Sequence, residues 1–182
     1  MPFVDDLLVA YRRFVSLPWR NDLPGPQRVW MVVYPPFHER RIRFRVGDFE
    51  AVTRGAGHGW RQLDVTDSFP KWLAQQEYAE AYFEDPEALS IATGGFVEYV
   101  TAQVGEALIG DGVDDGTVVA LIGVGALYPF ARVSQVIEAV SPSIRGRLLV
   151  FFPGEYEGSV YRLLNARDGW NYMAVPITTS KE

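Results

Sequence analysis

The chain has 182 residues, 48% hydrophobic and 14% aromatic, which suits one well-filled core and excludes a disordered polar chain. Its formal net charge of −6 argues against holding nucleic acid through a general basic surface, although a local basic patch stays open. With no cysteine there is no disulfide framework, no thiolate metal site and no cysteine nucleophile.

No apolar run follows a basic stretch at the start of the sequence, so no signal peptide is expected. The longest apolar runs, residues 118–124 and 148–152, fall far short of the roughly 20 residues that cross a bilayer. A cytoplasmic chain with no membrane partner is the expectation.

In chain order, residues 3–15 place Phe3, Leu7, Leu8, Tyr11, Phe14 and Val15 at helical spacing, with Asp5 and Asp6 at the positive end of the dipole. A proline-rich connector, LPWRNDLPGPQ, leads to VWMVVY (29–34), which reads as a buried strand ended by Pro35 and Pro36. Residues 38–54 fit a strand over Ile42–Phe44–Val46, but also a helix over Ile42, Val46, Phe49 and Val52. The GAGHG stop and the strand-like WRQLDV (60–65) behind it favour the helix. Asp67 or Ser68 can cap a helix through about residue 78, with Pro70 in its first turn. Residues 77–88 read as a helix end and loop around Asp85–Pro86, followed by a helix over about 95–108 and the turn-rich GDGVDDG.

Beyond that, TVVALIGV and RLLVFF are apolar throughout, and a helix is expected between them over 129–140. A short helix is expected over 161–166, then a last strand in NYMAVPI that Pro176 marks as an edge. Fully apolar strands alternating with helices predict a single α/β domain over 1–182. Its mainly parallel sheet of about five strands carries helices on both faces, a Rossmann-like three-layer sandwich.

The chemistry-bearing residues are sparse. Gly123 and Gly125 sit between a strand and a helix, where an α/β fold places a phosphate-cradling loop. Tyr128 stands where GxGxxG needs its third glycine, and no Gly-Lys-Ser/Thr follows, so the plainer role is a tight turn. In FPGEYEG, Pro153–Gly154 has turn chemistry after the next strand. Tyr128, Arg132, Gly154, Glu155 and Tyr156 are thereby expected at the carboxyl edge of the sheet, near Asp64, Asp67 and the Tyr34–Pro35–Pro36 turn. Such a set suits a small-molecule pocket or, since Tyr and Arg are favoured anchors, a protein interface, and the interface is favoured because catalytic motifs are missing.

Arg40, Arg41, Arg43 and Arg45 form a candidate basic patch that could meet a phosphate backbone or an acidic partner. The competing reading is a solvated face paired with Glu39, Asp48 and Glu50. His38 and His58 lie in different turns without a ligand cluster, so no metal site is expected. There is no GxSxG and no serine with an evident His partner, and no catalytic residue is assigned.

Gly123, Val124, Gly125, Tyr128, Pro129, Phe130 and Arg132 match a Gly-Val-Gly-x-x-Tyr-Pro-Phe-x-Arg core. Phe151, Phe152, Pro153, Gly154, Tyr156 and Gly158 match Phe-Phe-Pro-Gly-x-Tyr-x-Gly. Together with the terminal NYMAVPI, these segments resemble the C-terminal half of the BrxB family, small components of bacterial BREX phage-exclusion systems. The resemblance implies a non-catalytic subunit without a cofactor. It would act beside a large AAA-type ATPase, a PglZ phosphatase-like protein and a DNA methyltransferase, docking the PglZ-like protein or the ATPase. DNA contact is left open but not expected. The alternative is a nucleotide- or nucleic-acid-binding domain using the Gly123–Gly125 turn and nearby arginines.

Overall fold

Three uninterrupted apolar runs form the middle of the sheet in the computed structural model, which describes residues 2–179. The elements run α1 (Pro2–Ser16), β1 (Val29–Tyr34), α2 (Glu39–Gly55), β2 (Gly59–Asp64), α3 (Ser68–Ala74), α4 (Ala79–Glu84) and α5 (Pro86–Ile109). They continue with β3 (Thr117–Ile122), α6 (Val133–Val140), β4 (Arg147–Glu157), β5 (Val160–Leu163), β6 (Trp170–Asn171) and β7 (Val175–Ile177). The main sheet has the order β2-β3-β4-β1-β7, every neighbouring pair parallel.

β1, β3 and the first eight residues of β4 are buried throughout because helices cover both faces. Side chains alternate between the two resulting cores. Met31, Val33, Val119, Leu121, Leu148, Val150 and Phe152 join the helices α3, α5 and α6. Trp30, Val32, Val118, Ala120, Leu149 and Phe151 face α1 and α2. On that second face Tyr11 and Thr53 share a buried 2.5 Å hydrogen bond, and Phe49 meets Phe151 edge-on at 5.0 Å. The two sheet edges differ in composition: β2 exposes Arg61, Gln62 and Asp64, and β7 carries Pro176. Both devices discourage further strand pairing.

The α/β class, the parallel sheet and the helix choice over 38–54 agree with the sequence reading. Four local expectations are corrected. The helix after Asp67 ends at Ala74, not near residue 78, and Asp67 makes no side-chain cap. The long helix begins at Pro86 instead of 95, because Asp85 accepts hydrogen bonds from the Glu87 and Ala88 amides and Pro86 fits the first turn. The 129–140 helix starts at Val133, behind a 3₁₀ turn over Val124–Leu127 and a cis Tyr128–Pro129 peptide.

The fourth correction concerns FPGEYEG. Pro153–Gly154 is not a turn: β4 continues through Glu157 and pairs antiparallel with β5, where a helix was expected over 161–166. The reversal lies at Gly158 and Ser159, both with positive φ, the backbone that tight hairpins require. β6 then pairs with β5, so a three-stranded antiparallel flap extends from the end of β4.

Candidate functional site

The carboxyl ends of β1, β2, β3 and β4 lie side by side, and the residues there divide into a polar knot and a groove. The knot is built around Arg43 on α2. Its Nε donates to Glu39 Oε1 at 3.0 Å and its Nη1 to Asp64 Oδ2 at 3.0 Å, and Nη2 donates to the Thr66 hydroxyl. Tyr34 at the end of β1 donates to Glu39 Oε2 at 2.5 Å, and Asp64 Oδ1 accepts from the Thr66 amide at 3.0 Å. Partial burial would raise the Asp64 carboxyl, but hydrogen bonds from Arg43 and Thr66 outweigh it and hold the group below its usual range. Burial, then the Glu39 charge, pushes the Tyr34 hydroxyl far up, so it stays a donor.

This knot decides what the glycine turn can do. Gly123 has φ +86°, and a Cβ there would run into the Thr66 hydroxyl and lie 2.7 Å from Asp64 Oδ1. The strand-end backbone is therefore packed against a carboxylate, which repels the phosphate that such a turn would otherwise cradle. Gly125 sits in the 3₁₀ turn against Pro153, where a Cβ would come within 3.3 Å of the ring. Asp67 is exposed and makes no cap, so it stands apart from the knot.

The groove lies between the start of α6, the flap and the loop before β6, with a volume of ≈ 680 Å³. Tyr128 and Arg132 line it from one side, and Phe152, Tyr161, Leu163 and Trp170 from the other. Arg132 approaches Asp168 at 3.5 Å, with 70% and 81% of the two side chains open to solvent, so the pair is loose and replaceable. Tyr161 is buried and donates to the Ala174 carbonyl at 2.8 Å, and Trp170 Nε1 donates to Glu138 Oε1 at 2.8 Å. These two bonds fix the aromatic floor of the groove.

Of the residues expected at this edge, Tyr128 and Arg132 share the groove. Tyr156 stands behind it, its ring tilted against that of Tyr161 with centroids 4.7 Å apart, and Glu155 faces solvent opposite Arg162 in the hairpin. Gly154 lies against the Arg162 carbonyl, a close approach that any side chain would block. Sequence reasoning missed Tyr161, Leu163, Arg167, Asp168 and Trp170. The signal was present: apolar–polar alternation on both sides of Gly158–Ser159 is a hairpin pattern.

The basic cluster is dispersed by its helix. Arg43 belongs to the knot and Arg45 pairs with Asp5 and Asp48, whereas Arg40 and Arg41 are exposed and make no ion pair among the described residues. His38 is buried and stacks on Phe3, and His58 stacks on Trp19 at 3.6 Å. Among the described residues no group of three or more His, Asp or Glu side chains could hold a metal ion. No described helix is long and apolar enough to cross a membrane.

The groove, the flap and both sequence motifs fall within residues 75–177, which match the family model described as BREX protein BrxB. Comparison with curated proteins and with solved structures finds no match. The family match spans more than half of the chain and includes the segments from which the resemblance was read. The chain belongs to the BrxB family and is a component of a BREX system.

Proposed function

We propose that this BREX component is a non-catalytic adaptor that seats a segment of a neighbouring BREX protein, a PglZ-like protein or the AAA-type ATPase, in the Tyr128–Arg132 groove. One observation carries the reading: the groove combines a fixed aromatic floor with an arginine whose only ion-pair partner among the described residues, Asp168, is solvent-exposed. A partner carboxylate can replace Asp168 without uncovering a buried charge, and an apolar side chain can cover the exposed parts of Tyr128, Leu163 and Trp170. Aromatic and arginine side chains in a concave patch are the usual anchors of protein interfaces.

Co-expression and pull-down with each candidate partner tests the proposal. Tyr128→Ala combined with Arg132→Glu is expected to weaken capture by more than tenfold, or about 1.4 kcal/mol. Both side chains are exposed, so the melting temperature should stay close to that of the parent chain. Undiminished capture by a folded double variant would overturn the groove as the docking surface.

A further inference from the structure

Two surface patches outside the groove carry the four most exposed large hydrophobic side chains among the described residues: Phe44 and Ile91 at 86%, Phe37 at 79% and Phe83 at 72%. The first patch lies at the start of α2. Phe37 sits in the 3₁₀ turn leading into the helix, and Arg40, Arg41 and Phe44 follow three, four and seven residues later. That spacing puts all four on one face. Arg43 and Arg45 are engaged with carboxylates of their own chain, but Arg40 and Arg41 project without an ion pair among the described residues.

The second patch is the arm formed by α4 and the first turns of α5. Tyr78, Phe83 and Ile91 are exposed there, interleaved with Glu77, Glu80, Glu84 and Glu87. None of these four glutamates has an ion pair among the described residues. The arm is held down by Tyr82 and Leu89, which pack on the core under α3, α5 and α6. The α2 patch belongs to the opposite layer, whose core is shared with α1.

The patches therefore have the same design with inverted charge: aromatic rings with free cations on one layer, and aromatic rings with free anions on the other. They cannot meet within one molecule, because the sheet lies between them. We infer that the chain stacks head to tail with further copies of itself, the Phe37–Arg40–Arg41–Phe44 face of one molecule seating on the acidic aromatic arm of the next. The occupant is a second copy, since the chain itself supplies the complementary surface. Its net charge of −6 disfavours other orientations, in which like-charged surfaces approach. Such a heterologous contact is not a two-fold one, so it adds copies one after another, as an open stack or, where the rotation closes, as a ring. It leaves the Tyr128–Arg132 groove outside the contact, and its success or failure is independent of the adaptor proposal.

Sedimentation velocity on the whole chain across a wide concentration range, at low and at moderate salt, reads the association directly. The expected result is a mean mass that rises with concentration at low salt and falls back towards the monomer as salt screens the contact. R40E/R41E and E80R/E84R should each lose that rise while keeping the parent's circular dichroism and melting curve. Mixing the two variants one to one makes both kinds of junction opposite in sign again, so assembly should return in the mixture only. A parent chain that stays monomeric at every concentration overturns the inference. So does association untouched by either charge reversal, or a mixture of folded variants that fails to restore it.

Discussion

Arg43→Met removes the guanidinium that ties α2 to the end of β2 while keeping most of the apolar stem. Three hydrogen bonds vanish, to Glu39, Asp64 and Thr66, and two carboxylates lose their cation. A charge-assisted hydrogen bond contributes about 1.5–3 kcal/mol in a dry site. Here Arg43, Glu39 and Asp64 retain 33%, 32% and 46% of their side-chain exposure, and water screens what remains. Scaling for that screening leaves a total of about 1.5–2.5 kcal/mol, or roughly a 4–8 °C fall in Tm for a chain of this size.

Urea denaturation at pH 7 measures the loss, and a double-mutant cycle with Asp64→Asn isolates the Arg43–Asp64 share at about 1 kcal/mol. The pH dependence has a definite sign. Asp64 is held below its unfolded value, so its contribution is present above about pH 3.9 and disappears as pH falls through the folded value. The gap between parent and variant should stay level from pH 7 to about 5 and narrow below about 4. A gap under about 0.5 kcal/mol at pH 7, or one that stays unchanged at about pH 3, would refute this account of the knot.

Gly154→Ala drives a Cβ into the Arg162 carbonyl, so it should cost about 3 kcal/mol and part β4 from β5, seen as altered near-UV circular dichroism. Unchanged stability would mean the hairpin backbone is elsewhere. Phe151→Ala opens a void beneath α2, beside Phe49, and should cost about 3–5 kcal/mol in chemical denaturation. A cost below about 1 kcal/mol would show that the two sheet faces are not packed as described. Burial, with help from Arg41, lowers the His38 pKa, and its buried Nδ1 has no hydrogen-bond partner among the described residues. The unfolded chain therefore takes up a proton near pH 6.5 before the folded one does, and stability should fall as pH drops below that value. His38→Leu should flatten this slope, and parallel pH profiles for parent and variant would exclude the histidine as its source.

Apolar runs such as VWMVVY and TVVALI already dictate strands buried on both faces, since no other short element hides six consecutive large side chains. The glycine stop behind residue 54 likewise selects a helix over 38–54, and the two C-terminal motifs identify the family from residue types alone. The start of α5 at Pro86 was also legible, through the Asp85 cap and Pro86 at the first turn.

The flap was not settled by local preference: FPG has turn chemistry, yet Pro153 and Gly154 lie in a strand because Pro153 is in register with Tyr34 of β1 and Gly154 pairs with Leu163 of β5. Strand pairing is a contact between distant segments, and its hydrogen bonds outweigh the weak turn preference of two residues. The same holds for the site. Sequence order names Asp64, Gly123 and Arg43 as separate features, and only the parallel register brings β2 beside β3 and aims α2 back over both. That register turns a candidate phosphate loop into a carboxylate-filled knot, and it leaves Tyr128 and Arg132 facing a groove whose far wall, from Phe152 to Trp170, comes from later segments of the chain. Residue identity decided the central strands and most of the helices, whereas distant pairing decided the flap. Long-range packing decided which side chains are already satisfied and which remain available to a partner.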